Sequence, residues 1–349
     1  SAADPTPPTS VPAPPAAMPP PAGPTFSNPL LASGPDPHVV RVDGTYYFTK
    51  TSGDRIGLWA TTAMSELSRS RYATIFVPPR TGPNSRDLWA PELHRLDGRW
   101  YVYYAAGDGS RLGGDPLWSQ RTFVLENAGP DPLQGTWVDR GALQGPDRQT
   151  WAIDGTVLEH AGRRYFVWSG RTSFGDPDQH LYIAEMANPW TLVGSRVRLS
   201  SPDRDWERAG DAGVNEGPQV LRSHAGRVFL VYSANGCWTD DYALGLLALR
   251  EGGDPLEPAD WRKGDAPVFA TQPGRGAYGP GHNAFFVSPD GTQDWLVYHA
   301  NATAGAGCGD ARSTRMQPFT WRADGTPEFG VPVDIGTPIE VPSGEARGP

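Results

Sequence analysis

Apolar residues in this chain are concentrated in short runs that follow small glycine-containing turns. Five runs rich in aromatic and β-branched residues each begin after an Asp-Gly or Ala-Gly pair. The five segments are VDGTYYF (42–48), LDGRWYVYY (96–104), HAGRRYFVW (160–168), HAGRVFLVY (224–232) and PDGTQDWLVY (289–298). Because glycine readily adopts the positive φ of a tight turn, each segment predicts a β-hairpin.

The regular spacing of the hairpins predicts a repeated sheet unit. Their turn glycines recur about every 50–65 residues. Further apolar runs accompany the hairpins, for example at 57–60, 122–125, 181–184 and 244–249. A unit of roughly four strands buries its faces only by stacking on its neighbours, so five units predict an all-β fold, a closed five-bladed β-propeller. The alternative is a sandwich with five unrelated hairpins, which the even spacing and the near absence of helical periodicity disfavour.

Residues 1–24 differ in composition from the rest of the chain. The stretch SAADPTPPTSVPAPPAAMPPPAGP is dominated by proline and alanine, which predicts an extended, solvated linker. Residues 25–349 are numerous enough to form one propeller domain with a large core. No run of about 18 apolar residues occurs, so the sequence predicts no membrane-spanning segment.

Charge and cysteine content narrow the class of protein. The formal net charge of −9 and the lack of a Lys/Arg cluster argue against a nucleic-acid partner and favour a neutral ligand. Both cysteines, Cys237 and Cys308, lie just after the second strand of a predicted blade. We expect a disulfide between them, which is typical of an exported protein; two unpaired buried thiols are the alternative. Together with the linker, this favours a secreted location, extracellular or periplasmic.

Acidic residues stand at the predicted starts of three innermost strands. In a propeller these strands line the central channel, so residues at their starts converge at one end of it. Asp36, Asp154 and Glu216 take these positions in the first, third and fourth units, and WAPE (89–92) and His282 take them in the other two. Three carboxylates in one low-dielectric mouth repel one another, which favours a functional role over a structural one.

Most enzymes that hydrolyse a glycosidic bond use a pair of carboxyl groups. One protonates the leaving oxygen, the other attacks or activates water, and a third tunes the acid. Trp89 offers a flat apolar face for the wall of a sugar site. Other hydrolytic chemistries lack their motifs, since G-x-S-x-G, H-E-x-x-H and C-x-x-C do not occur. The glycine-rich segment at 305–310 lacks the helix pattern of a dinucleotide loop.

Five segments, in order and spacing, resemble those of glycoside hydrolase family 43. They are GPDPHVVRVDGTYYF, WAPELHRLDGRWYVYYAA, AIDGTVLEHAGRRYFVWSG, NEGPQVLRSHAGRVFLVYSANG and GPGHNAFF, and they cover about residues 28–320. The resemblance implies a five-bladed propeller and an inverting mechanism. It implies that Asp36 is the general base, that Glu216 is the general acid, and that Asp154 raises the pKa of the acid and orients it.

The resemblance also implies binding roles for two residues of the last unit. His282 matches the family's channel histidine, which implies a calcium ion or another cation held mostly through water beneath the sugar. Arg315, in STRMQPF, matches a site arginine near the acid. No cofactor is implied for the chemistry itself.

The segments WAPE and YSANG most resemble the corresponding segments of the exo-acting α-L-arabinofuranosidases of the family. These release L-arabinose from α-1,5-linked arabinan or arabino-oligosaccharides, so the expected partner is a plant cell-wall polysaccharide and the expected state is a monomer. A β-xylosidase, an endo-arabinanase or a non-catalytic carbohydrate-binding propeller is the alternative. An acidic mouth suits a neutral furanose better than a charged sugar.

Overall fold

The computed structural model describes residues 20–346, and these form a five-bladed β-propeller. Five antiparallel sheets of four strands follow one another along the chain, and each sheet is built from four consecutive strands. The propeller prediction is therefore confirmed. The predicted linker lies, for residues 1–19, outside the described residues, and the chain enters its first strand at Thr25.

The strands of each blade run in chain order from the channel outwards. The first blade has β2 (His38–Val42), β3 (Thr45–Thr49), β4 (Ile56–Thr61) and β5 (Arg71–Phe76); the second has β6 (Arg86–Leu96), β7 (Arg99–Gly107), β8 (Arg121–Asn127) and β9 (Val138–Ala142); the third has β10 (Ala152–His160), β11 (Arg163–Gly170), β12 (His180–Asn188) and β13 (Thr191–Ser200); the fourth has β14 (Asn215–Arg222), β15 (Val228–Ala234), β16 (Ala243–Leu249) and β17 (Trp261–Lys263); the fifth has β18 (Tyr278–Val287), β19 (Asp294–Asn301), β20 (Ser313–Trp321) and β21 (Pro327–Glu328).

Four short 3₁₀ helices lie in the connections between these strands. They are Met64–Arg69, Asp205–Glu207, Pro258–Asp260 and Pro273–Arg275. Within residues 20–346 no helix has the length and apolar character needed to cross a membrane.

The ends of the described chain close the ring. A two-stranded sheet pairs β1 (Thr25–Phe26) with β22 (Ile339–Glu340). The segment after β1 then runs along β20, where the backbone N–H of Leu30 donates to the carbonyl of Thr314 at 2.7 Å. The side-chain amide of Asn28 also bonds the backbone of Met316 in both directions, at 2.9 Å each. The first and fifth blades are thus joined by hydrogen bonds as well as by packing.

Five large hydrophobic clusters make up most of the core of the described residues, and each of them fills the interface between two neighbouring blades. Trp100 lies between the first and second blades, and Trp295 lies between the fifth and first; both are almost fully buried. The apolar runs of the sequence therefore serve two sheets at once. This explains why their alternation is incomplete, because both faces of a blade are covered.

The innermost strands of blades two to five share a β-bulge near their starts. In β10 the pairing with β11 skips two residues between Ile153 and Thr156, and the other three strands skip two residues in the same way. A bulge bends a strand and re-aims its side chains. The bulges lie at the end of the channel where the innermost strands begin, which we call the upper mouth.

Candidate active site

The structure brings the three predicted acids together at the upper mouth. Asp36 precedes β2 by two residues, Asp154 lies on the bulge of β10, and Glu216 is the second residue of β14. Asp154 and Glu216 are buried, with 5% and 9% of their surface exposed. His282, on the bulge of β18, completes the group.

Three of these residues have left-handed backbone conformations. The φ angles are 56° at Asp36, 58° at Asp154 and 47° at His282. Such conformations are uncommon outside glycine and cost about 1–3 kcal/mol each. Asp154 and His282 share one structural position, the bulge of the innermost strand, whereas Asp36 lies just before β2, which pairs with β3 without a bulge. The repeated bulge is therefore the device that directs side chains of different blades toward the channel axis.

Glu216 does not share this position, which corrects the expectation that the three acids are in phase. The pairing register makes Glu216 equivalent to Ile153 of the third blade. The left-handed residue of the fourth blade is Gly217, with φ 55°. Glu216 thus enters the mouth from one residue earlier in the repeat. The sequence does not reveal this offset, because matching acid with acid aligns Glu216 with Asp154, whereas the structure aligns Gly217 with Asp154.

Asp36 is held by cations and hydrogen-bond donors. Its Oδ1 lies 3.0 Å from Nδ1 of His282 and 3.3 Å from Nη1 of Arg312, and Thr51 Oγ1 donates to its Oδ2 at 2.5 Å. Burial by itself raises the pKa of this carboxyl, but the charges of His282 and Arg312 outweigh burial and hold the pKa well below its ordinary value. Asp36 is accordingly an ionised carboxylate at neutral pH.

Asp154 and Glu216 are shifted the opposite way. Burial, with the charge of Asp36 added, raises the pKa of Asp154 to about 6 against the opposing charge of His282. Burial and the negative charge of Asp154 raise the pKa of Glu216 to about 8. Asp154 also accepts a hydrogen bond of 2.9 Å from the backbone N–H of Gly217, next to Glu216. One site therefore combines an ionised carboxylate with a protonated carboxylic acid.

His282 is the counter-charge of the acids. Burial lowers its pKa, but the charges of Asp36 and Asp154 outweigh burial and raise the pKa to about 9. The ring therefore carries a proton at neutral pH and has no free lone pair for a metal. Asp154, Glu216 and His282 offer ligand atoms within 4.8 Å of one another. Two carboxylates and an imidazolium do not form the cage of six to eight oxygen ligands that calcium prefers, so direct ligation does not fit this set.

Glu92, the acid of the WAPE segment, lies deeper in the channel. Its Oε1 is 2.9 Å from Nε2 of His94 and 3.5 Å from Nε2 of His38, and Gln219 donates to its Oε2. Burial raises its pKa, but the interactions with His38 and His94 outweigh burial and lower the pKa. Glu92 is thus already fully engaged by other side chains.

The other predicted residues are placed as follows. Trp89 is half-buried at the start of β6, against Trp151 and Ile153, so it borders the mouth. Cys237 and Cys308 form a disulfide, with Cα atoms 5.1 Å apart, and it joins a loop of the fourth blade to one of the fifth.

Arg315 does not reach the acid. Its guanidinium is fully buried in the fifth blade, where it donates to the carbonyls of Gly276 at 2.8 Å and Ala300 at 3.3 Å. The arginine of the mouth is Arg312, three residues earlier, which contacts Asp36. Arg315 points away because β20 pairs it with Tyr298 inside the blade.

Sequence reasoning missed the residues that hold the acids. The hydroxyl of Tyr242 donates to Oε2 of Glu216 at 2.9 Å, and its ring stacks on His299 at 5.6 Å. His299 in turn accepts the backbone N–H of Asp36 at 2.9 Å. Tyr242 ends a loop and His299 lies in a second strand, so neither belongs to the innermost strands, whose starts converge on the mouth.

Comparison with known proteins agrees with this geometry. The family model described as glycosyl hydrolases family 43 matches residues 26–327. A protein of Streptomyces avermitilis named extracellular exo-alpha-(1->5)-L-arabinofuranosidase is 42% identical over 91% of this chain and 66% of its own length. A protein of the same name from Streptomyces chartreusis is 42% identical over 79% of this chain and 82% of its own length.

A solved structure gives the same result. The α-L-arabinofuranosidase from Lactobacillus brevis superposes with a TM-score of 0.83 at 37% identity, over 89% of this chain and 98% of that one. The chain thus spans only about two thirds of the Streptomyces avermitilis relative but nearly the whole of the solved structure. The match to the family model includes Asp36, Asp154 and Glu216, and the chain belongs to glycosyl hydrolases family 43.

Proposed function

We propose that this protein is an inverting exo-acting α-L-arabinofuranosidase that releases L-arabinose from the ends of α-1,5-linked arabinan or arabino-oligosaccharides. The observation that carries the proposal is the opposite ionisation of two buried carboxyl groups in one mouth. Asp36 is kept ionised by His282 and Arg312, whereas the pKa of Glu216 is raised to about 8 by burial and Asp154. Such a divergence assigns base and acid in glycoside hydrolysis.

The roles follow from these charges. Asp36 takes a proton from a water molecule as the water oxygen bonds to the anomeric carbon. The glycosidic bond breaks on the other side of that carbon, and Glu216 gives its proton to the leaving oxygen. Asp154 keeps Glu216 protonated and holds the backbone beside it through Gly217. The two steps balance, because one proton leaves Glu216 and one arrives at Asp36.

The substrate assignment rests on the relatives and on charge. The two Streptomyces relatives and the Lactobacillus brevis structure carry arabinofuranosidase names. A site with three carboxyl groups repels a uronate or a phosphorylated sugar, so a neutral furanose is favoured. The location is proposed from the same relatives: both are named extracellular, which agrees with secretion of this chain and with its disulfide.

Other activities of the same fold are the competing candidates. Solved β-xylosidase and endo-arabinase structures resemble this chain at 18% and 16% identity, which speaks only for a common fold. A non-catalytic sugar-binding propeller is a further alternative, but the presence of all three acids in one mouth favours an enzyme.

Product analysis tests the proposal. We compare initial rates on linear α-1,5-arabino-oligomers and on xylo-oligomers of equal length, with Glu216→Gln as the inactive control. Arabinose as the sole early product supports exo action on arabinan. A ladder of oligomers identifies an endo-arabinanase, faster release of xylose identifies a xylosidase, and binding without turnover identifies a lectin.

A calcium ion in the channel remains a separate proposal, and no step of the chemistry is assigned to it. Because direct ligation does not fit, such an ion is proposed to be held through water near His282. Elemental analysis of protein purified without added metal, together with activity in a chelator, tests this proposal. A metal-free preparation with full activity in the chelator contradicts it.

A further inference from the structure

A small groove with aromatic walls lies beside the upper mouth, outside the cluster of acids. Three connections build it: β7 to β8 (residues 108–120), β9 to β10 (143–151) and β11 to β12 (171–179). All three emerge at the end of the ring where β6 and β10 begin. The groove therefore opens on the same face as Asp154. It encloses a cavity of about 170 Å³.

The walls of the groove are apolar side chains that remain in contact with solvent. Phe174 is 54% exposed and Leu112 is 44% exposed. The ring of Trp118 meets Phe174 edge to face, with centroids 6.5 Å apart. Leaving such surface in water is unfavourable, and an aromatic pair rimmed by polar residues is typical of a binding site.

The groove is also pre-formed rather than loosely arranged. Trp118 Nε1 donates to Ser110 Oγ at 3.1 Å, and Leu112 and Asp115 exchange backbone hydrogen bonds of 3.3 and 3.0 Å across a tight turn. Gly113 in this turn has φ 58°, and a side chain there would meet Phe174 at 3.0 Å. The turn therefore requires glycine in order to place the Phe174 ring.

Polar groups converge on the floor of the groove. The Arg171 guanidinium lies 4.4 Å from the Trp151 ring and forms an ion pair of 2.7 Å with Asp115. Its Nε is buried and has no hydrogen-bond partner within residues 20–346. Gln149 and Thr150 add an amide and a hydroxyl to the lining. The guanidinium, the amide and the hydroxyl are hydrogen-bond donors that suit the hydroxyl oxygens of a sugar.

Trp151 connects the groove with the acids. It lines the groove and packs against Trp89 and Ile153, the residue before Asp154. A sugar chain that leaves the upper mouth over Trp89 therefore reaches the groove on the same side of the propeller.

We propose that this groove binds the leaving part of the substrate, at a neutral furanose unit of the arabinan chain that lies beyond the one attached to the cleaved bond. The assignment rests on the proposed function. A sugar ring presents C–H faces to aromatic side chains and hydroxyl groups to polar ones, which matches the Trp118 and Phe174 walls and the Arg171 floor. The cavity has room for a single sugar unit rather than for a protein segment. The groove therefore sets the preferred chain length of the substrate.

Chain-length dependence tests this assignment. We measure kcat/KM on α-1,5-arabino-oligomers from the dimer to the hexamer and on an aryl arabinofuranoside, which has no second sugar. The wild-type value is expected to rise with length and then level off. In Phe174→Ala and Trp118→Ala, kcat/KM on the longer oligomers is expected to fall about tenfold because KM rises. The values on the aryl substrate and on the dimer are expected to stay unchanged. Val193→Ala, an exposed apolar residue on the outer strand β13, is the matched control.

Two outcomes overturn the assignment. One is a wild-type kcat/KM that does not change with chain length. The other is an equal loss on the aryl substrate and on long oligomers in the two groove variants, which identifies a structural role.

Binding separates this proposal from the proposed function. If no arabinose is released at all, the proposed function fails. Calorimetric binding of arabinotetraose to Glu216→Gln, with and without Phe174→Ala, then still tests the groove. Weaker binding after the second substitution supports it, and equal binding contradicts it.

Discussion

The hydroxyl of Tyr242 donates a hydrogen bond of 2.9 Å to Oε2 of Glu216. The carbonyl oxygen of a protonated carboxyl group is the better hydrogen-bond acceptor, so this bond favours a proton on Oε1 of Glu216. The Tyr242 ring is fixed in turn by stacking on His299 and by close contact with Gly281, where a Cβ would lie 2.4 Å from the ring. The carboxyl group of Glu216 is thus both kept protonated and held in a fixed orientation, as the proposed role of general acid requires.

Replacing Tyr242 with Phe is expected to raise the pKa of Glu216 further. The hydrogen bond stabilises the charged form, so its loss favours the protonated form and moves the basic limb of the kcat/KM profile to higher pH. The measurement is the pH profile with an arabino-oligosaccharide. Tyr298→Phe, which loses a buried hydroxyl bonded to Gln317, is the matched control and should leave the limb in place. A shift to lower pH in Tyr242→Phe would contradict this account.

Replacing Asp154 with Asn is expected to have the opposite effect. The negative charge of Asp154 raises the pKa of Glu216, so the neutral amide lowers that pKa. Glu216 then loses its proton at lower pH, and the basic limb moves to lower pH. An unchanged profile would show that Asp154 does not act on the acid.

Replacing Glu216 with Gln removes the proton donor with little change in shape. General acid catalysis typically contributes a factor of about 10²–10⁴, so kcat on natural oligosaccharides should fall by about that factor. Aryl arabinofuranosides with good leaving groups should lose much less, because their leaving oxygen needs little protonation. Equal losses on both substrate types would assign Glu216 another role.

Replacing Arg312 with Gln is expected to weaken the ionisation of Asp36. The Arg312 charge is one of the contributions that hold the pKa of Asp36 well below its ordinary value, so its loss raises that pKa. The base then gains a proton at higher pH, and the acidic limb of the profile moves to higher pH. Arg312→Lys keeps the charge and should restore part of the acidic limb. If neither variant moves this limb, Asp36 is not the base that governs it.

The sequence was sufficient for the repeat and for the convergence of the acids, because both follow from local turns and strand order. Asp36, Asp154 and Glu216 stand near glycine or proline at the starts of innermost strands, and a ring brings such positions together. The bulge register was not predictable, since Gly217 permits Glu216 to enter one residue early.

Side-chain contacts that depend on strand pairing and on the direction of loop residues were also beyond the sequence. Arg312 and Arg315 are both arginines of one short segment, and only the pairing of β20 with β19 decides that Arg315 is buried inside the blade. Tyr242 reaches Glu216 within its own blade from a loop, and no periodic pattern indicates the direction of a loop side chain. Residues that support the acids are therefore visible only once the blades are assembled.

The anomeric form of the first product tests the central claim most directly. Direct attack of water activated by Asp36, with proton donation from Glu216, inverts the anomeric carbon and requires the two carboxyl groups to be about 6.5–9.5 Å apart. Proton NMR of an α-1,5-arabino-oligosaccharide digest, recorded before mutarotation, should show β-L-arabinose as the first-formed sugar. First-formed α-L-arabinose would mean retention through a covalent intermediate and would contradict the roles assigned to Asp36 and Glu216.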